Sequence, residues 1–222
     1  MRPSIANVDC LIIVVCDKPL PDFLILDKLL LSANYADVEC AVVVNKIDLA
    51  GDCAEVICRE YPFLNNFFTV SAETGEGIPK LKDFLYGKSV AFAGQSAVGK
   101  TSLINRLTGS SFLTGKLSER SGRGRHTTTY SRLLFADDFS LFDTPGFTEL
   151  YADVHPADVP QNFQPYDRFA DKCRFCDCTH TSEPDCAVRT AVENGVLSAS
   201  RYERYKTIYK EVLTEYKKRY GK

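Results

Sequence analysis

Apolar positions along the chain fall into two periods, and the switch between them lays out the elements. Residues 8–15 are apolar almost without interruption, the pattern of a strand covered on both faces. Over 22–33, Phe23, Leu24, Leu26, Leu29 and Leu30 recur at threes and fours, which predicts a helix. Further buried strands are expected at 41–44, 67–70 and 90–93, with helices near 53–60 and 77–86 between them. Strands alternating with helices predict an α/β fold, a mostly parallel sheet with helices on both faces. Residues 130–143 break the rhythm as two short strands about Asp137 and Asp138, a hairpin. Residues 151–185 show little periodicity. Beyond them, 200–220 reads as an amphipathic helix with Tyr202, Tyr205, Tyr209, Val212 and Tyr216 on one face. The expected division is a nucleotide-binding domain over 1–152 and a small helical domain over 153–222.

Composition narrows the class. Among 222 residues, 45% are hydrophobic and 25% charged, values of a globular chain rather than a disordered one. A net charge of -2 gives no global field to attract nucleic acid. The most apolar stretch, 11–16, is six residues long, against roughly 20 for a membrane span. With no secretory leader at the N-terminus, the expectation is a cytoplasmic protein with no membrane partner. Nine cysteines in a reducing compartment point to thiols or metal before disulfides.

Gly94-Gln95-Ser96-Ala97-Val98-Gly99-Lys100-Thr101 follows a predicted strand and opens a helix, the context that makes GxxxxGK[ST] a phosphate loop. Its backbone N–H groups and helix N-terminus cradle phosphate oxygens. Lys100 reaches the β and γ phosphates, Thr101 offers a hydroxyl to Mg²⁺, and Ser102 follows in the first turn. Asn45-Lys46-Ile47-Asp48 closes an earlier strand. A carboxylate such as Asp48 accepts both N1–H and N2–H of guanine, a donor pair adenine lacks. Asn45 would brace the neighbouring loop and Lys46 would lie along the purine. After the third strand, Ser71-Ala72-Glu73 offers a backbone N–H to guanine O6. Asp143-Thr144-Pro145-Gly146 suits a Mg²⁺-water contact at Asp143 and a γ-phosphate sensor at Gly146. His126-Thr127-Thr128-Thr129 lies where a switch segment supplies a hydroxyl to Mg²⁺. Asn45–Asp48 and Ser71–Glu73 precede the phosphate loop, the reverse of the usual GTPase order. Joining the termini of a parallel sheet and reopening it elsewhere produces that order.

A second constellation is Cys173-x4-Cys178-x-His180-x5-Cys186. Three thiolates and an imidazole suit a closed tetrahedral Zn²⁺ site, a staple for a segment poor in apolar residues. Cys176 lies inside the same stretch and could replace Cys173 or Cys178 as ligand.

With these motifs, the sequence resembles the circularly permuted GTPases, most closely the ribosome small-subunit biogenesis GTPases. Residues 2–9, 122–129 and 143–147 carry the likeness beyond the nucleotide motifs. The resemblance implies GTP hydrolysis to GDP, bound Mg²⁺, stimulation by the small ribosomal subunit and a role in its late maturation. It implies Cys173, Cys178, His180 and Cys186 as ligands of one structural zinc, leaving Cys176 out. Phe147 stands where many GTPases carry a water-orienting glutamine, and a phenyl ring cannot orient water. The family's substitute is a switch histidine, which His126 matches. Thr128 is aligned as the magnesium hydroxyl. The family usually carries an N-terminal oligonucleotide-binding barrel, and this sequence starts where that barrel would end.

The segment from residue 199 onward carries eight basic and three acidic groups, a surface suited to rRNA. A monomer is expected. The rival reading is a nucleotide-gated scaffold that hydrolyses negligibly and grips an RNA or protein partner through its zinc domain.

Overall fold

In a computed structural model, the described residues are 8–109, 132–135, 139–143 and 154–221. The strands are β1 (Cys10–Val15), β2 (Glu39–Val44), β3 (Phe67–Thr69), β4 (Ser89–Ala93), β5 (Arg132–Phe135) and β6 (Ser140–Asp143). They form one sheet in the order β3-β2-β1-β4-β6-β5, parallel except for β5, which runs antiparallel to β6 as the expected hairpin. Every residue of β1 is buried, because its alternate side chains enter two different cores. Leu11, Ile13 and Val15 pack with helices α1 (Phe23–Tyr35) and α2 (Cys53–Glu60). Cys10, Ile12 and Val14 pack with α3 (Ile78–Leu85) and α4 (Lys100–Thr108). A central strand therefore shows no alternation in its sequence.

Local chemistry sets the helix ends. Asp22 caps α1 by accepting from the N–H groups of Leu24 and Ile25. Gly77, at φ +72°, starts α3 one residue later than the periodicity suggests. A Cβ there would sit 2.1 Å from the Thr69 carbonyl oxygen, so the chain needs glycine where it turns off β3.

After a 3-10 turn at Pro156–Asp158, the C-terminal unit comprises α5 (Val159–Asn162), α6 (Asp167–Ala170), α7 (Ala187–Glu193) and α8 (Ala199–Tyr220). Tyr202, Tyr205 and Val212 are buried in its core, as the spacing on α8 predicts. Their phenolic ends stay satisfied: Tyr202 donates to the His180 carbonyl at 2.7 Å and Tyr205 to that of Thr179 at 2.6 Å.

Helix α1 belongs to both units. Leu26, Leu29 and Leu30 face the sheet, while Leu31 lies in the core of the C-terminal unit. Asp27, wholly buried, accepts from Arg201 Nε at 2.8 Å and Arg204 Nε at 2.6 Å, both from α8. Arg204 also bonds Glu60 on α2 at 2.8 Å. The Arg201 guanidinium lies 4.4–4.9 Å from the rings of Phe163, Phe63 and Tyr61. A charge so placed is stable only because each polar group has its partner.

Candidate nucleotide site and metal centre

Parallel strands bring their C-terminal ends to one edge of the sheet, where open α/β folds bind ligands. Asn45 follows β2, Ser71 follows β3, Gly94 follows β4, and Asp143 ends β6. Motifs scattered over a hundred residues thus meet along one line. Contacts between them are direct. Asn45 Nδ2 donates to the Val98 carbonyl at 3.0 Å, and its Oδ1 accepts from the Ala72 N–H at 3.1 Å. One buried amide therefore joins the phosphate loop to the Ser71-Ala72-Glu73 loop. Lys46 Nζ donates to the carbonyls of Ala97 at 2.7 Å and Lys18 at 2.8 Å. Ser71 Oγ donates to Asp48 Oδ1 at 2.5 Å and accepts from the Thr74 N–H at 3.0 Å. That pairing aims the exposed Asp48 carboxylate.

Lys100 Nζ donates to the carbonyls of Gly94 and Gln95 at 2.7 and 2.6 Å. Burial pushes its ammonium below the ordinary lysine range, and an anion in the cradle would favour the charged form. Gly99 at φ +91° is obligatory, since a Cβ would lie 2.4 Å from Asn45 Nδ2. Two non-glycine residues here also hold positive φ, Lys46 at 67° and Ala97 at 65°. Such conformations cost about 1 kcal/mol or more each and concentrate where function requires them. Thr101 is half-buried in the first turn of α4, while Ser96, Ser102 and Glu73 are exposed. His126, Thr128 and Gly146 lie outside the described residues.

Two further contacts at this site are not evident in the sequence. The Asp22 N–H donates to Gln95 Oε1 at 3.0 Å, tying the phosphate loop to the start of α1. Arg106, on α4, donates to the Thr74 carbonyl at 3.1 Å. Neither has a local signal, since the partners are 73 and 32 residues apart. For Asp27 a signal exists: an acid on the apolar face of a helix, beside Leu26 and Leu30.

The second centre lies in the C-terminal unit. One ligand atom from each of Cys173, Cys178, His180 and Cys186 falls within 4.8 Å of all the others. His180 Nδ1 is 3.4 Å from Cys186 Sγ and 3.6 Å from Cys173 Sγ, and those sulfurs are 4.0 Å apart. Tetrahedral zinc, with bonds of about 2.3 Å to sulfur and 2.0 Å to nitrogen, requires separations near 3.8 and 3.5 Å. The donor set fits. Cys176 is exposed and outside the cluster. His180 holds φ +59°, which turns its imidazole into the group. Burial pushes the Cys178 thiol up to about 12 and raises Cys186, so a bound cation would have to supply the thiolate stabilisation. Burial disfavours the charged form of Glu183, yet bonds from the Thr179 side chain and from the N–H groups of Thr179, Glu183 itself and Ser182 outweigh that and hold it at about 2. Glu183 thereby closes the turn between His180 and Cys186.

A separate cleft of about 430 Å³ runs between α1, the turn at 63–66 and residues 162–164. It shares no residue with the nucleotide loops.

Comparison with known proteins agrees with this geometry. Residues 1–153 match the family described as RsgA GTPase. A protein of Caldanaerobacter subterraneus subsp. tengcongensis named small ribosomal subunit biogenesis GTPase RsgA is 40% identical over 225 residues, covering 99% of this chain and 76% of its own length. The protein of the same name from Thermotoga petrophila is 42% identical over 226 residues, covering 98% and 76%. Among solved structures, YjeQ from Thermotoga maritima superposes with a TM-score of 0.76 at 39% identity, over 93% of this chain and 72% of that one. YloQ, described as a circularly permuted GTPase, superposes at 0.75 with 24% identity, over 94% and 69%, a likeness of fold.

Proposed function

The chain belongs to the RsgA GTPase family and is a GTP-hydrolysing enzyme, and we propose that it acts in late maturation of the small ribosomal subunit, stimulated by that subunit. The observation that carries the nucleotide reading is the Asn45 side chain, which bonds Val98 of the phosphate loop and Ala72 of the base loop at once. Guanine would then sit between Asp48 and the Ser71-Ala72-Glu73 loop, with Lys46 along its face. The phosphates would rest on the N–H groups of 94–101 against Lys100. Mg²⁺ would be held by the hydroxyls of Thr101 and Thr128, with Asp143 through water, and would neutralise charge developing on the phosphates. Gly146 would sense the γ-phosphate and His126 would orient the attacking water.

Cys173, Cys178, His180 and Cys186 would hold one structural zinc, since four protein ligands leave no open position. The basic outer stripe of α8, including Lys210, Lys217 and Lys218, all exposed, supplies charge for rRNA phosphates. Among the described residues no helix is long and apolar enough to cross a membrane; the proposed place of action is the cytoplasm. We take the protein as a monomer of two units meeting near residue 152. Family membership weighs against the scaffold reading.

Asp48→Asn is expected to exchange guanine for xanthine preference, weakening GTP relative to XTP by about a hundredfold or more. A binding titration with both nucleotides checks it, and unaltered GTP affinity removes Asp48 from base recognition. His126→Ala is expected to leave nucleotide affinity near that of the parent and lower turnover about a hundredfold in the presence of small ribosomal subunits. Equal turnover would remove it from the mechanism.

A further inference from the structure

Helix α4 does more than open the phosphate loop. Six residues after Lys100, Arg106 reaches back to the turn that follows Ser71-Ala72-Glu73 and donates to the Thr74 carbonyl at 3.1 Å. The turn is shaped to receive it. Gly75 has φ +88°, and a Cβ there would lie 2.4 Å from Arg106 Nη2 and 3.3 Å from its Cζ, so the guanidinium lies where any other residue would carry its side chain. The same turn is closed on Ser71. The Gly75 N–H donates to the Ser71 carbonyl at 2.9 Å, the Ser71 N–H to the Glu76 carbonyl at 3.0 Å, and the Thr74 N–H to Ser71 Oγ at 3.0 Å. Ser71 in turn holds Asp48. An unbroken set of bonds therefore runs from the helix bearing Lys100 and Thr101, through Arg106 and the 74–76 turn, to the carboxylate that faces the base.

We infer that Arg106, seated against Gly75, is a positioning residue for the guanine nucleotide: it locks the base loop to the phosphate-loop helix and slows nucleotide release. The inference rests on the placement of guanine between Asp48 and the Ser71-Ala72-Glu73 loop proposed above. If base loop and phosphate cradle move as one body, a nucleotide leaves only when both open together. Without the Arg106 contact, Asn45 alone ties this loop to the phosphate loop, and the 71–76 turn lifts from the base more readily while the phosphates are still held. Arg106 touches no nucleotide in this scheme, so its effect falls on departure rather than on encounter.

The test is the exchange kinetics of the full chain loaded with N-methylanthraniloyl-GDP and chased with unlabelled GDP. Arg106→Ala is expected to speed dissociation about fivefold, the worth of one lost hydrogen bond, and to change the association rate by less than about twofold. Arg106→Lys keeps a donor that can reach the Thr74 carbonyl and should restore most of the slow release. A dissociation rate in Arg106→Ala equal to that of the parent, or a lysine variant as fast as the alanine one, overturns the inference. Asp48→Asn separates the two layers. If it exchanges guanine for xanthine while Arg106→Ala releases GDP at the parental rate, only the role of Arg106 fails. If it leaves GTP preference intact, the base site itself is misplaced.

Discussion

Replacing Asp27 by alanine is expected to destabilise the protein by about 3–5 kcal/mol, because it leaves two arginines inside without their counter-ion. Arg201 is 3% exposed and Arg204 16%, and both Nε atoms are spent on this one carboxylate. Arg204 would keep Glu60, but Arg201 would keep only the Gln164 carbonyl and the surrounding rings. A guanidinium is a permanently charged group in proteins. The fold must then admit water between α1 and α8 or separate them. Chemical denaturation read as a shift in midpoint is the measurement. As a control, Lys206→Ala at the exposed Lys206–Glu203 pair should shift stability by no more than about 0.5 kcal/mol. A loss at Asp27 as small as the control's would mean that the arginines find water without cost, and the α1–α8 contact would not be what holds the units together.

Removing metal should have a still larger effect, confined to the C-terminal unit. Structural zinc in small domains supplies about 10–16 kcal/mol of apparent binding free energy, and that energy is folding energy. The segment 171–186 contains no helix or strand among its described residues, so little else fixes it. Cys178→Ser, or the parent chain treated with a strong chelator, is therefore expected to lose ordered structure over residues 171–186 and to expose the tyrosine face of α8. Tyr202 and Tyr205 hold the carbonyls of His180 and Thr179, so their near-ultraviolet signal should report the change. The nucleotide loops draw on a separate core and should keep their GDP affinity. Metal analysis should return one zinc per chain in the parent and none in Cys178→Ser. A parent that folds identically with no metal bound would refute the site.

How far the sequence could be read depends on the range of the interaction concerned. The phosphate loop is legible because its chemistry is packed into eight consecutive residues, and a glycine, a lysine and a hydroxyl at fixed offsets have few other uses. Strand β1 is legible because burial on both faces leaves an apolar run. The three cysteines and the histidine of the candidate metal centre are legible because they fall within fourteen residues. Asn45 illustrates the limit. Its presence beside Lys46 and Asp48 suggests a brace, but that it spans Val98 and Ala72 depends on where β2, β3 and β4 end relative to one another. Arg106 carried no local signal, and neither did the contact from Gln95 to Asp22, since a lone polar side chain has no period and its partner can be anywhere in the chain. Asp27 had a weak signal as an acid among leucines. Its two partners, about 175 residues away, are defined only by packing.

The chain by itself determined its alternation of strands and helices, the permuted order of its nucleotide motifs and the donor set of its candidate metal centre. Each of these is encoded by neighbours in sequence, through periodicity, propensity and residue chemistry. Folding decided which loops share a pocket, which helix serves two cores, and where a buried acid finds its bases. Those outcomes arise from strand register and helix packing, which join residues by proximity in space and leave no trace in their spacing along the chain.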